Sequence, residues 1–391
     1  MARRLRFGIV GAGVIGPTHA EAIASLPDAE LVAVADNGHE RAEMLAEQYG
    51  ITAYANLRQM LDREELDVVN ICTPSGLHGE QACQVMRSGR HVIVEKPMAI
   101  SLAAIDEMLR VQQETGVKLA VISQHRFDPA SRQVHDLVEQ KAFGRLVLGN
   151  AQIPWWRSQA YYDSGAWRGT WALDGGGVLM NQSIHSIDLL QWLMGPVKSV
   201  CAYTDTLAHR IETEDVAVAV LRFASGALGT ISATTAAYPG VTTRVEVFGD
   251  RGSAVLEDDL LTYLHLARDD AEEPGPYGSM AQAPGQQSAV AQGSTGVARG
   301  STGVARDSMG VARDSIDVAR DSMDVARGSV PEDKGPAGVS AITHALQIAD
   351  MIRAIREDGT PLVDGLAGRR PVAIILAIYE SARRREEVSV A

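Results

Sequence analysis

Three polar side chains stand together in GGGVLMNQSIHSIDLLQWL, residues Gly175 to Leu193. Asn181, His185 and Asp188 are four and three residues apart, a spacing that sets all three on one face of a helix. The other positions of the stretch are mostly apolar, so this polar face needs a reason. An imidazole supported by hydrogen-bonding neighbours can move a proton near neutral pH. The same residue types could ligate a metal, or cap an ordinary core helix. The metal reading is weak: Asn is a poor ligand and no second His or Cys cluster accompanies it, so no metal is expected. Asp188 is expected to hold the tautomer of His185 or to cap a neighbouring loop.

A second group of residues reads as an anion cradle. Gly11, Gly13 and Gly16 form GxGxxG in GIVGAGVIG, after an apolar run and at the start of a helical pattern, with Asp36 twenty residues further on. That context is what a dinucleotide site requires. Gly11 permits the tight turn, Gly13 lets the backbone approach a pyrophosphate, and Gly16 lets helix and strand pack closely. Val14 and Ile15 lie in the same turn, where the helix N-terminus stabilises the anion. Asp36 can accept hydrogen bonds from ribose hydroxyls, and its charge disfavours a 2′-phosphate. NAD is therefore expected rather than NADP, a preference that nearby Arg41 could soften.

Two further strand ends carry polar groups. TPSGLH places Thr73, Pro74 and His78 after DVVNIC, and Glu95-Lys96-Pro97 closes HVIV. Lys96 alone would read as a solvated strand-end charge. The order GxGxxG, TPxxxH, EKP, GGGxxxxxxxH, however, resembles the glucose–fructose oxidoreductase / inositol dehydrogenase / MocA family. The resemblance covers nearly the whole chain except the Tyr277–Gly335 region. Within the family, the MNQSIH segment after YYDSGAWRGTW is similar to a branch that oxidises UDP-N-acetyl-glucosaminuronate at C3.

The resemblance implies an N-terminal Rossmann domain and a C-terminal domain on an open antiparallel sheet, with the nicotinamide between them. It implies that Thr73, Pro74, His78, Glu95, Lys96 and Pro97 face the cofactor crevice. It also implies that Lys96 sits beside the reacting oxygen and that His185 donates and accepts the proton. Many family members carry Asp where this chain has Asn181. Asn can only hydrogen-bond, so either His185 and Lys96 carry more of the chemistry or Asn181 binds substrate. The chemistry is consistent with the residue types: an ammonium stabilises alkoxide character, and a neutral imidazole takes the proton. Two rivals accompany this reading: a redox-neutral NAD-dependent glycosidase and a non-catalytic NAD-binding sensor.

Substrate clues come from WWRSQAYYDSGAWRGTW, which holds four of the five tryptophans of the chain. Aromatic faces suit sugar rings, and arginines suit carboxylates and phosphates. Arg157, Tyr162, Trp167 and Arg168 from this loop, with Arg126 of HRFDP, Asn181 and His185, are the expected substrate contacts. A sugar, sugar acid or sugar nucleotide is the expected substrate. Alternatively, the aromatic residues cover a domain or subunit contact.

The elements that must position these groups are legible as periodicities. RFGIV, ELVAVAD, DVVNICT, HVIVEKP and KLAVIS read as strands alternating with amphipathic helices, which implies a doubly wound parallel sheet. From Val197 to Leu266 come closely spaced strands of a mostly antiparallel sheet, and two helical patterns (340–357 and 370–385) close the chain. The fold class expected is α/β, with a Rossmann domain over residues 1–124 and an α+β substrate and oligomerisation domain over residues 125–391. Residues 270–335 read as a disordered insertion. They contain five consecutive heptads between Gly293 and Arg327, from GSTGVAR to DSMDVAR, rich in Gly, Ser and Asp and poor in large apolar residues.

Composition bounds the partners. The 391 residues carry a formal charge of −13 (36 basic against 49 acidic), which argues against nucleic acid or an anionic membrane as the main partner. No apolar run is long enough to span a bilayer, and MARRLRFGIVGAG enters a strand without a signal-peptide pattern. Cys72, Cys83 and Cys201 form no CxxC, and each reads as a small buried apolar residue in a reducing cytoplasm. The exposed face of a large open sheet favours a homodimer or homotetramer.

Overall fold

A computed structural model of the chain describes residues 3–267 and 341–391. The expected insertion at 270–335, with its heptad repeat, lies outside the described residues.

The apolar runs near the N-terminus form a six-stranded sheet. Its strands are β1 (Leu5–Val10), β2 (Ala29–Ala35), β3 (Thr52–Tyr54), β4 (Val68–Ile71), β5 (His91–Val94) and β6 (Leu119–Val121). All pairs are parallel, in the order β3-β2-β1-β4-β5-β6. Helices α1 (Gly16–Ala24), α2 (His39–Tyr49), α3 (Leu57–Arg63), α4 (His78–Arg87) and α5 (Leu102–Thr115) connect them. Every residue of β4 is buried, as a sheet covered on both faces requires. Five of the six strands are those expected. The sixth, β3, has only three residues, too few to show a period.

The second sheet has eight strands: β7 (Leu146–Pro154), β8 (Val197–Asp205), β9 (Val216–Phe223), β10 (Leu228–Thr234), β11 (Arg244–Gly249), β12 (Gly252–Glu257), β13 (Leu260–Leu266) and β14 (Val388–Ser389). Their order is β13-β12-β11-β7-β10-β9-β8-β14. The pair β7–β10 is parallel and the other pairs are antiparallel. The fold is thus α/β, a Rossmann-like parallel sheet followed by a mostly antiparallel one.

Strand β9 alternates strictly. Ala217, Ala219, Leu221 and Phe223 point into the core, whereas Val218 and Val220 are exposed. Two helices cover the inner face: α8 (Ile184–Met194), counted after α6 (Pro129–Glu139) and the short α7 (Gln159–Asp163), and the closing helix α10 (Gly365–Arg384). Helix α9 (Ala341–Arg356) instead returns to the first sheet and packs against α1. Helix α10 begins earlier than its periodicity suggests, because the Asp364 carboxylate caps the Ala367 N–H at 2.8 Å. Cys72 and Cys83 are buried as expected, but Cys201 is exposed on β8, because its position alternates onto the outer face.

Candidate active site

The strand order reverses between β1 and β4, and the crevice at their carboxyl ends is where doubly wound sheets hold ligands. Gly11 turns out of β1 with φ +99°, and a Cβ there would lie 2.6 Å from the Cys72 carbonyl oxygen. A Cβ on Gly16 would lie 2.5 Å from the Gly11 carbonyl oxygen, so α1 seats directly on the turn. At Gly13 a Cβ would meet nothing within 4 Å, leaving open backbone beside the exposed Val14 and the half-buried Ile15. At the end of β2, Asp36 accepts from Ala12 N at 2.7 Å and Gly38 N at 2.6 Å, and pairs with Arg41 Nη2 at 2.7 Å. Tight turn, open cradle and fixed carboxylate fit a dinucleotide. Arg41 lies on the carboxylate itself.

Half-buried Thr73 and Pro74 end β4. His78 behaves differently from the expectation that it contacts cofactor. It is 1% exposed, and its ring nitrogens face Pro97 O and Thr73 O, each at 2.7 Å. His78 therefore ties the loop after β4 to the loop after β5. Glu95 is corrected in the same way. It is buried, accepts from His19 Nε2 at 2.9 Å and from the Lys96 backbone N–H at 3.0 Å, and faces His344 Nε2 at 3.5 Å. Asn70 donates to His19 Nδ1 at 2.8 Å, so Nε2 carries the proton given to Glu95. Burial opposes the Glu95 charge, but the two imidazoles hold its carboxyl well below the usual range. Glu95 fixes the backbone from which Lys96 and Pro97 leave the strand.

Lys96 Nζ donates to Asn181 O at 2.9 Å and lies 3.4 Å from Asn181 Oδ1. An ammonium has three N–H donors, so one remains for a ligand. Burial lowers the Lys96 pKa from its ordinary value, and Glu95 and Asp174 oppose that drop.

The segment bearing Asn181 is not α-helical. Residues Val178–Ser183 form a π-helix that passes into α8 at Ile184, an irregularity that often marks functional sites. The three glycines before it fit between close neighbours: Gly175 against Ile100, Gly176 against the Tyr379 hydroxyl, and Gly177 against Glu214 O. Glu214 caps the start, accepting from Gly177 N at 3.0 Å, Leu179 N at 2.9 Å and the Tyr379 hydroxyl at 2.9 Å. Burial pushes the Glu214 carboxyl up to about 7. No sequence signal singled out Glu214, which lies 37 and 35 residues from the two amides it caps.

His185, in the first turn of α8, lines one crevice with Lys96, Met98, Ile122 and Ser123. Its ring stands edge-on to His125, with centroids 5.0 Å apart. His125 Nδ1 lies 2.8 Å from both Asp128 Oδ2 and Asp259 Oδ1. Burial works against a charge on His125, yet the two carboxylates raise its pKa to about 9. Burial, then the positive charges of His125 and Lys96, hold His185 well below the ordinary imidazole value. His185 is thus a neutral imidazole at pH 7, able to accept a proton.

Asp188 does not hold the tautomer of His185; it ties down the neighbouring segment, Ser123–Arg126, instead. At 3% exposure it pairs with Arg126, itself 2% exposed, through bonds of 2.5 and 2.7 Å, and accepts from the Ser123 hydroxyl. Asp188 lines the same crevice as Lys96 and His185, but its carboxylate oxygens are taken by Arg126 and Ser123. Arg126 correspondingly leaves the substrate set, since its guanidinium is buried against Asp188 and Trp192. Tyr162 leaves it as well, buried with its hydroxyl 2.8 Å from Thr235 Oγ1.

The other expected loop residues, Arg157, Trp167 and Arg168, are half-buried. Arg157 lies over Trp155 and Tyr161 and donates to Gln182 Oε1 at 2.9 Å. Arg168 lies over Tyr161 and Trp167 and donates to the Tyr161 hydroxyl at 2.7 Å. Both are close enough to Lys96 to depress its pKa, so an acidic chain presents a local cationic patch here. Tyr161, between the two guanidiniums, organises it.

Comparisons with known proteins agree with this geometry. A profile described as an oxidoreductase family with an NAD-binding Rossmann fold matches residues 5–123, and the GFO/IDH/MocA C-terminal domain matches residues 131–255. An inositol 2-dehydrogenase of Rhizobium meliloti is 31% identical over 273 residues, covering 68% of this chain and 79% of that protein. The chain belongs to the Gfo/Idh/MocA oxidoreductase family. Its first sheet is an NAD-binding Rossmann domain. A myo-inositol 2-dehydrogenase of Thermotoga maritima is 29% identical over 283 residues, covering 70% of this chain and 80% of that one. The crystal structure of the WlbA dehydrogenase from Bordetella pertussis, in complex with NADH and UDP-GlcNAcA, superposes with a TM-score of 0.78 at 32% identity. That match covers 100% of this chain and 99% of the other. Among the described residues, no helix is long and apolar enough to cross a membrane.

Proposed function

We propose that this protein is an NAD-dependent dehydrogenase oxidising a secondary hydroxyl of an anionic sugar, with a nucleotide-linked uronic acid as the favoured class. The observation that carries the proposal is the meeting of Lys96, from the first sheet, with His185, from the helix of the second, in one crevice, with the Arg157 and Arg168 charges near enough to act on Lys96. Residues 1–124 hold the cofactor and residues 125–391 the substrate in this reading. Gly11, Gly13, Val14, Ile15, Gly16, Asp36, Thr73 and Pro74 face the cofactor.

Bound NAD supplies the hydride acceptor. Lys96 donates a hydrogen bond to the substrate oxygen and stabilises the negative charge that grows there. His185 takes the hydroxyl proton and returns it in the reverse direction. Asn181 steadies the ammonium. Arg157 and Arg168 pair with substrate carboxylate or phosphate, and Trp167 offers a ring face to the sugar. The exposed outer face of the second sheet, with Tyr203, Val218 and Val220, is the surface proposed for self-association, and a reducing cytoplasm suits three unpaired thiols.

Steady-state turnover of UDP-GlcNAcA against myo-inositol tests the substrate class. The cationic patch predicts the higher kcat/KM for UDP-GlcNAcA. A preference for the uncharged polyol would remove the anionic-substrate reading.

The base assignment fixes a pH dependence. Oxidation needs neutral His185, and its pKa lies well below 6.5. The acid limb of kcat/KM is therefore expected on the acid side of an ordinary imidazole. The groups acting on His185 are His125, Lys96, Glu95 and His344. His125→Gln removes a cation that depresses His185, so the limb should move up by about 0.5–1 unit. An unmoved limb would show that His185 is not the titrating base.

A further inference from the structure

Among the described residues no carboxylate is hydrogen-bonded to Lys96 Nζ, which meets Asn181 instead, yet a carboxylate stands immediately behind that residue. Asp174 is buried, and its Oδ1 accepts from Asn181 Nδ2 at 2.8 Å. Its Oδ2 accepts from the Gly169 backbone N–H at 2.8 Å, which fixes the group in place. The Asn181 amide is thereby oriented with its donor end towards Asp174 and its acceptor end, Oδ1, 3.4 Å from Lys96 Nζ. Without an acceptor behind it, nothing would stop the amide from presenting its own N–H groups to the ammonium.

We infer that Asp174 is a positioning residue of the active site, acting through the Asn181 amide to hold Lys96 and to supply the site's compensating negative charge. This rests on the dehydrogenase reading. Asp174 directly precedes the three glycines, and Gly175 at φ +78° turns the chain out of the way between Asp174 and the π-helix. The relay Asp174–Asn181–Lys96 has a consequence for the chemistry. An ionised carboxylate touching the ammonium directly would compete with the substrate oxygen for its N–H donors. Set one amide further back, the charge still stabilises the ammonium in a half-buried crevice while a donor stays open. Burial pushes the Asp174 carboxyl up to about 6, against the Gly169 N–H, Lys96, Arg168 and Asn181, which lower it. It is mostly ionised at pH 7.5 and weakens as pH falls.

The test compares wild type, Asp174→Asn, and the double variant Asp174→Asn/Asn181→Asp, which moves the carboxylate forward by one residue in the relay. With UDP-GlcNAcA and NAD, Asp174→Asn is expected to lower kcat about ten- to a hundred-fold while KM stays within about threefold. The double variant should recover part of that loss, since it restores a carboxylate beside Lys96, yet stay below wild type because that carboxylate competes for the ammonium's N–H donors. A merely structural Asp174 would not be rescued by a charge at another position. Wild-type kcat in Asp174→Asn, or a double variant no better than the single one, would overturn the inference. Should Asp174→Asn fail to fold, Asn181→Ala cuts the same link while leaving Asp174 on Gly169, and an unchanged kcat there overturns it too.

A second readout needs no turnover. The pH at which Lys96 becomes reactive to acetic anhydride, followed by mass spectrometry, reports its ionisation. Glu95 and Asp174 raise the Lys96 pKa, while Arg157 and Arg168 lower it, and His185 lines the same crevice. Asp174→Asn should shift that midpoint down by about half a unit or more, and an unshifted midpoint overturns the relay. If wild type turns over neither UDP-GlcNAcA nor myo-inositol, the dehydrogenase reading fails, while the labelling midpoint still decides the relay.

Discussion

Lys96→Met is expected to lower kcat for sugar oxidation by about 10²–10³-fold, with NADH affinity within about threefold of wild type. Met keeps the length and apolar stem of Lys and removes only the ammonium, so the loss reads electrostatics rather than packing. The ammonium acts in a crevice lined by Met98 and Ile122, where water competes poorly and a single donor counts for more than in bulk solvent. Its geometry is set from two sides. Glu95, held ionised by His19 and His344, fixes the backbone, and Asn181 fixes the ammonium. The cofactor contacts proposed above, on the glycine loop, Asp36, Thr73 and Pro74, keep their side chains in Lys96→Met. Melting temperature and NADH binding check that the variant is folded, and full turnover in a folded variant would contradict the role given to Lys96.

His185→Asn should be of similar size, with kcat for oxidation reduced about 10²–10⁴-fold. An amide can still hydrogen-bond the substrate hydroxyl but cannot take its proton near neutrality. The distinguishing readout is the pH profile. Wild type loses activity as pH falls through the depressed His185 pKa, because the base becomes protonated. The variant has no such group, so its residual rate should lose that limb. A variant retaining both the rate and the limb would move the base to another residue, with His125 the first to examine because its ring stands 5.0 Å away.

Much of the cofactor half was legible in the sequence, because its signals are local. GxGxxG needs three glycines within six residues, and Asp36 lies at the end of the next strand. Lys96 was likewise marked by its place at a strand end. The substrate half is built from contacts between distant segments, and there the sequence misled. Arg126 looks like a free guanidinium in HRFDP, but Asp188, 62 residues later, takes it into the core. Tyr162 sits in an aromatic run but turns inward to Thr235, 73 residues away. His78 and Glu95 belong to motifs, yet their side chains support the loops from behind. The spacing of Asn181, His185 and Asp188 suggested one helical face; His185 and Asp188 do share one in α8, but Asn181 lies in the π-helix before it and the Asp188 carboxylate is taken by Arg126 and Ser123. Asp174 and Glu214 were missed because an acidic residue in a loop carries no signal until its partner amides are known.

The most direct test of the account is NADH absorbance followed alongside sugar analysis when the purified protein is given NAD and UDP-GlcNAcA. The account predicts that NADH accumulates in step with an oxidised, uncleaved sugar nucleotide, and that Lys96→Met and His185→Asn both suppress it. Cleavage of the glycosidic bond with no net NADH would reveal a redox-neutral enzyme. Tight NADH binding with no change in any sugar offered would reveal a sensor, and either result would contradict the dehydrogenase assigned to Lys96 and His185.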